Sequence, residues 1–141
     1  MPCLEIVMPR TSRQARAELA AAVTDAFTEI TGFASETFGV YFREYGDFEA
    51  SCGGVLWYAD SQAHPFLHFI LYCPRIARSQ KQALVAKFSK HFTSVLKRPG
   101  WSPVIHISEH PYDNVGINGK ILSDTYEECA NRPFYYRLEN T

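Results

Sequence analysis

"PRTSRQARAEL" (9–19) and "PRIARSQKQAL" (74–84) are two versions of one phrase. A shift of 65 residues carries Pro9 onto Pro74, Arg10 onto Arg75, Arg13 onto Arg78, Arg16 onto Lys81 and Leu19 onto Leu84. The same shift carries Phe27 onto Phe92, Val40 onto Ile105, Phe42 onto Ile107 and Glu44 onto Glu109. A short match arises by chance, but one constant shift held over some 35 residues marks an internal repeat.

Each copy has the same grammar. An apolar run comes first, "CLEIVM" (3–8) and "FLHFILYC" (66–73), and both read as buried strands. A Pro-Arg turn follows, and then a helical stretch, about 14–31 and 79–97. Leu19, Val23, Ala26, Phe27 and Ile30 recur at three- and four-residue spacing, as do Leu84, Phe88, Phe92 and Val95. Breakers end both helices, Gly32 in one and Pro99-Gly100 in the other. A second strand follows in each, "TFGVYFREY" (37–45) and "SPVIHISEH" (102–110).

The predicted fold class is therefore α+β. A tandem β-α-β repeat builds a four-stranded, mainly parallel-paired sheet with two helices on one face. One domain spans 1–141, with repeat one at about 2–45 and repeat two at about 66–110. A linker hairpin at 46–65 turns at "CGG", and a C-terminal hairpin and tail fill 111–141. The sheet face away from the helices needs cover, either from the linker and tail or from a partner's sheet, so an oligomer is expected.

Composition removes several function classes. Fourteen basic against fifteen acidic side chains give a net charge of −1, with no basic run to hold nucleic acid. No apolar run reaches membrane-spanning length. No signal peptide is recognisable, so a soluble cytoplasmic protein is expected. Cys3, Cys52, Cys73 and Cys129 form no C-x-x-C pair and no zinc spacing, so no metal is expected, and they read as reduced thiols. Cys3 and Cys73, in strand-like runs, read as buried and inert.

Pro2 opens the first strand. Proline is tolerated there for want of an N–H to donate. A second reading is chemical: once Met1 is removed, Pro2 carries a free secondary amine. An α-amino group titrates near 7.7–8.0 before perturbation, and burial or neighbouring arginines lower that value. A neutral amine near pH 7 is a general base.

A proline after the initiator Met, opening a tandem β-α-β repeat, resembles the tautomerase superfamily over nearly the whole chain. The longer-chain branch with cis-3-chloroacrylic acid dehalogenase is most similar, and malonate semialdehyde decarboxylase is a relative of like size. "MPCLEIV", "AVTDAFTEITG", "PRIARS" and "IHISEHP" carry the resemblance together, in this order. It implies a homotrimer with Pro2 as catalytic group and no cofactor. Arg75 and Arg78 match the R-x-x-R pair that holds a substrate carboxylate, a task suited to guanidinium forks. Arg10 matches an arginine that follows the first strand in other members.

The chain also departs from that branch. Phe27 stands where the dehalogenases have a His, His106 where they have a Tyr, and Ile117 near their water-activating acid. Chloroacrylate hydrolysis is thus not expected. His106 reads either as a core or interface histidine or as a neutral imidazole reaching the Pro2 pocket. Asn118 reads as a turn residue or as a hydrogen-bond donor to substrate. His68 reads as structural, His64 and His110 as loop residues, and Glu36 lies near an acidic position of the decarboxylase.

The expected function is a tautomerase acting on a small 2-oxo or enol carboxylic acid, with Pro2 as base and acid. Hydratase, dehalogenase or decarboxylase chemistry with the same proline is the near alternative. A non-catalytic trimeric binding protein, with Pro2 acylated by a retained Met1, is the alternative from another class.

Overall fold

The computed structural model describes residues 2–126, so the aromatic end of the tail and Cys129 lie outside the described residues. Strand β1 (Cys3–Pro9) leads into helix α1 (Arg13–Thr31) and strand β2 (Gly39–Tyr45). Strand β5 (His68–Cys73), helix α2 (Arg78–Leu96) and strand β6 (Val104–Glu109) repeat the unit. The two helices begin and end 65 residues apart, as the sequence shift requires. Between the units lies a short hairpin of β3 (Ser51–Cys52) and β4 (Val55–Leu56), turned by Gly53 and Gly54 at positive φ.

The sheet order is β2-β1-β5-β6. β1 pairs with β2 in parallel and β5 with β6 in parallel, while β1 and β5 meet antiparallel at the centre. Each strand-helix-strand unit crosses over to make its own parallel pair, and the antiparallel seam relates the two units by a pseudo-twofold.

One face of the sheet is the core. Leu4, Ile6 and Met8 of β1 and Phe69, Leu71 and Cys73 of β5 pack under Leu19, Val23, Ala26 and Phe27 of α1 and Leu84, Phe88 and Phe92 of α2. The period-2 alternation of the strands meets the three-to-four spacing of the helices there. Alternate residues face the other way. Cys3, Glu5, Val7, His68, Ile70 and Tyr72 are half-buried, and Tyr41, Arg43, Val104, His106 and Ser108 are exposed.

The duplication reaches individual contacts. In the first unit Glu44 pairs with Arg16 and accepts the backbone N–H of Thr11 at 2.6 Å. In the second, Glu109 pairs with Lys81 and accepts the N–H of Ile76 at 2.9 Å. The helix starts differ. Ser12 caps α1 by accepting from the Ala15 N–H at 3.1 Å. Ala77 has no such oxygen, and Gln80 serves instead, accepting the Ala77 N–H at 2.8 Å and donating to the Ile30 carbonyl at 3.1 Å.

After β6, a 3-10 turn (Tyr112–Asn114) leads to a hairpin of β7 (Gly116–Ile117) and β8 (Lys120–Ile121), then a short helix α3 (Leu122–Thr125). Among the described residues, no helix is long and apolar enough to cross a membrane.

Candidate active site

Strand directions decide which residues meet. β1 starts where β2 starts and where β5 and β6 finish. Pro2, the loop 74–77, the start of α2 and the residues after β6 therefore share one end of the sheet. Pro2 is buried, and its carbonyl accepts the Gly39 N–H at 3.1 Å. Continuing the register Cys3↔Tyr72 sets Pro2 level with Cys73. Phe38, just ahead of β2, stacks on Phe27 with ring centroids 4.2 Å apart, an aromatic wall at this end of the core.

The Arg75–Arg78 loop is held from two sides. Glu109 grips the Ile76 N–H from β6, and Gln80 grips the Ala77 N–H while tethering α2 to the end of α1. Both arginines are exposed, and Arg78 opens α2, where the helix dipole adds to their positive charge. The Glu109 carboxylate, 4% exposed, is engaged by Lys81 and by the loop backbone.

Burial, then the nearby Glu109 charge, push the Cys73 thiol up to about 12, with Lys81 opposing. Cys73 is thus an inert core thiol, as its strand position predicted. His110 donates its backbone N–H to the Cys73 carbonyl at 3.1 Å. Burial lowers its imidazole from the ordinary value, and a hydrogen bond to the Ser108 carbonyl opposes that.

Solved structures share this architecture. Native fused 4-OT is 26% identical, with a TM-score of 0.77 over 86% of this chain and 97% of that one. A member of the cis-3-chloroacrylic acid dehalogenase family is 18% identical, with a TM-score of 0.71 over 93% of this chain and 92% of its own. Malonate semialdehyde decarboxylase inhibited by 3-bromopropiolate is 19% identical, with a TM-score of 0.65 over 89% and 96%. The chain has the tautomerase fold. No protein-family profile and no curated protein matches the sequence itself.

Within this tautomerase fold the predicted site residues divide. Pro2, Arg75 and Arg78 share the proline end. Arg10 does not: it follows the far end of β1, where its N–H donates to the Tyr45 carbonyl at 2.9 Å. His106 is also held away from Pro2 of its own chain. Its register partner Ile70 sits three residues before Cys73, and its ring projects from the open sheet face. There its Nδ1 meets Nε2 of His68, the rings 4.7 Å apart and edge to face. His68, read as structural, is thus the partner of His106. Asn118 sits at φ 54 beside Gly119 at φ 79, the left-handed pair of a tight β7–β8 hairpin, which is the turn reading. Glu36 lies exposed in the 3-10 turn Ser35–Thr37, three residues ahead of the Gly39 that bonds Pro2.

Sequence reasoning passed over three residues: Glu109, Gln80 and His110. A signal for Glu109 existed, because Glu44 and Glu109 keep the same shift as Arg16 and Lys81. Gln80 showed none, since its role replaces a cap the second repeat lacks. His110 was hidden by its place before a proline, which reads as loop.

Proposed function

We propose that this protein is a cofactor-independent tautomerase acting on a small 2-oxo or enol carboxylic acid, with the amino-terminal Pro2 as its base and acid. The observation that carries this reading is the braced Arg75–Arg78 loop at the sheet end where Pro2 lies, its backbone held by Glu109 and Gln80. A carboxylate seated on two guanidinium forks leaves its α-carbon or enol oxygen facing the amine. Burial and the two cations favour the neutral amine, which takes the proton from one position and returns it to the other. The sheet face that carries no helix, and the trimeric form in which fused 4-OT relatives are described, support a homotrimer. In such an assembly His106 and Arg10 act at the Pro2 site of a neighbouring subunit, since neither lies beside the Pro2 of its own chain.

Glu36 at the proline end favours a second reading within the same fold, hydration or decarboxylation with a protonated Pro2 and a carboxylate to handle water. Both readings need Met1 removed, because an acylated Pro2 nitrogen has no base character. The test is ketonisation of phenylpyruvate enol by Met1-free protein and by Pro2→Ala. Loss of about 10²–10⁴-fold in kcat/KM supports the proposal. Equal rates overturn it and leave a non-catalytic binding protein.

A further inference from the structure

His68 and His106 meet through particular nitrogens, and those nitrogens constrain where the protons lie. His68 sits on β5, between β1 and β6, and the parallel register sets it level with Val104 and His106 level with Ile70. The two rings are thus diagonal neighbours on the sheet face that carries no helix, edge to face with centroids 4.7 Å apart. His68 is half-buried, with the Phe66 ring centroid 5.7 Å from its own. His106 is exposed, on the outer strand of the sheet. The contact joins Nε2 of His68 to Nδ1 of His106.

Two neutral imidazoles satisfy that contact in only two ways, because each ring carries one N–H and one lone pair. If His106 donates from Nδ1, His68 accepts at Nε2, and both rings are Nδ1–H tautomers. If His68 donates from Nε2, His106 accepts at Nδ1, and both rings are Nε2–H tautomers. The Nε2–H form is the more stable one for an unconstrained histidine side chain. The second arrangement therefore sets both rings in their ordinary form, and the first sets both in the less stable one. Burial, then the His106 charge, lower the His68 pKa, so His68 is a neutral ring at neutral pH with one proton to place.

We propose that His68 is a positioning residue whose Nε2–H occupies Nδ1 of His106 and so fixes His106 as a neutral donor, with its own N–H on Nε2 and directed at a substrate oxygen. The proposal rests on the reading of His106 as a residue of a neighbouring subunit's Pro2 site. As Pro2 takes a proton from carbon there, negative charge gathers on the carbonyl oxygen of the substrate, and an imidazole N–H stabilises it. His106 gives up no proton: the one that Pro2 takes from carbon is the one that it returns to the enol oxygen. In the reverse tautomer His106 would meet that oxygen with a lone pair and repel it. A donor held by a second ring on the neighbouring strand is already oriented when substrate arrives.

The tautomer is measured without reference to catalysis. Nitrogen-15 spectra of histidine-labelled protein are recorded at about pH 8, above the ordinary imidazole value of about 6.5. Resonances are assigned by their absence in His68→Gln and His106→Gln. The proposal expects Nε2–H on both rings in wild type, and a mixture of His106 tautomers in His68→Phe. A His106 ring protonated on Nδ1 in wild type, or unchanged His106 nitrogen shifts in His68→Phe, overturns it. The kinetic readout is ketonisation of phenylpyruvate enol. His68→Phe should lower kcat by up to about 100-fold with little change in KM. His68→Gln, whose amide N–H donates to the same Nδ1, should recover most of that loss. Wild-type kcat in His68→Phe, or an equal loss in both variants, also overturns the proposal. Wild-type rates in Pro2→Ala would instead sink the tautomerase reading, and the nitrogen shifts then decide the role of His68 on their own.

Discussion

His68 Nε2 meets His106 Nδ1 on the sheet face that carries no helix. A hydrogen bond between two imidazoles needs one neutral acceptor, so double protonation breaks it and sets like charges side by side. Burial first, and the His106 charge second, lower the His68 pKa. A lowered folded-state pKa gives stability that is present above the unfolded value of about 6.5 and is lost as pH falls through that region. His110, also lowered, adds the same sign. The melting temperature is therefore expected to fall between about pH 7 and pH 5, and His106→Leu should flatten that dependence. Thermal melts across that range in both proteins check it. A wild-type melting temperature that does not fall in acid refutes the expectation.

Glu109 and Glu44 make the same bonds in the two units, but only Glu109 lies at the proline end. Removing either leaves a partly exposed cation and a backbone N–H without its acceptor, with an expected cost of about 1–3 kcal/mol. Glu109→Ala should in addition raise KM for a carboxylate substrate, because the Ile76 backbone loses its anchor. Glu44→Ala should match it in denaturant melts and leave KM alone. Equal KM effects from both would show that the loop is not what Glu109 holds.

Arg75 and Arg78 are expected to act mainly on binding. A charge-assisted hydrogen bond contributes about 1.5–3 kcal/mol, so each arginine-to-alanine change should raise KM about 10- to 100-fold, with a smaller change in kcat. Gln80→Ala, which frees the Ala77 N–H, should give a milder form of the same effect. Steady-state kinetics on one 2-oxo or enol acid compares all three.

Phe27 is fully buried and stacked on both Phe38 and Phe33. Phe27→Ala is expected to cost about 3–5 kcal/mol of stability. Phe27→His, which restores the residue type of the dehalogenase branch, should also destabilise, because it buries a polar ring in an apolar stack. Urea unfolding measures both.

Thiol reactivity should separate the cysteines. Cys52 is exposed in the β3–β4 hairpin, and Cys73 is buried with its thiol raised to about 12. A thiol reagent at pH 8, read by peptide mapping, should label Cys52 at once and Cys73 only after unfolding.

The sequence made the duplication legible because both units bury the same faces at the same intervals. Leu19 and Leu84, or Phe27 and Phe92, are fixed by one packing problem solved twice. The helix bounds followed to within a residue. The strand partnership of His68 and His106 was not legible, because it depends on register between β5 and β6, and alternation within one strand carries no register. The same gap hid the distance of His106 and Arg10 from Pro2. Local composition shows that Arg10 follows β1 but not that β1 runs away from the proline. The bond from the His110 N–H to the Cys73 carbonyl was likewise hidden, because it depends on the parallel pairing of β5 and β6.

A polypeptide has one amino terminus, and here two halves of like architecture must share it. The shift that carries Gly39 onto Val104 carries Pro2 onto Leu67, and each accepts the same backbone hydrogen bond, Gly39 to Pro2 and Val104 to Leu67, both at 3.1 Å. The junction that welds the halves turns the second starting residue into an internal one, with an acylated nitrogen that can never be a base. That end of the sheet has been filled instead. Tyr45 bonds the Phe66 carbonyl at 2.6 Å, and Trp57 lies edge-on to both Tyr45 and Trp101. The two halves are thus unequal at this point, since Leu67 is an internal residue of the chain and its end of the sheet is closed by aromatic side chains.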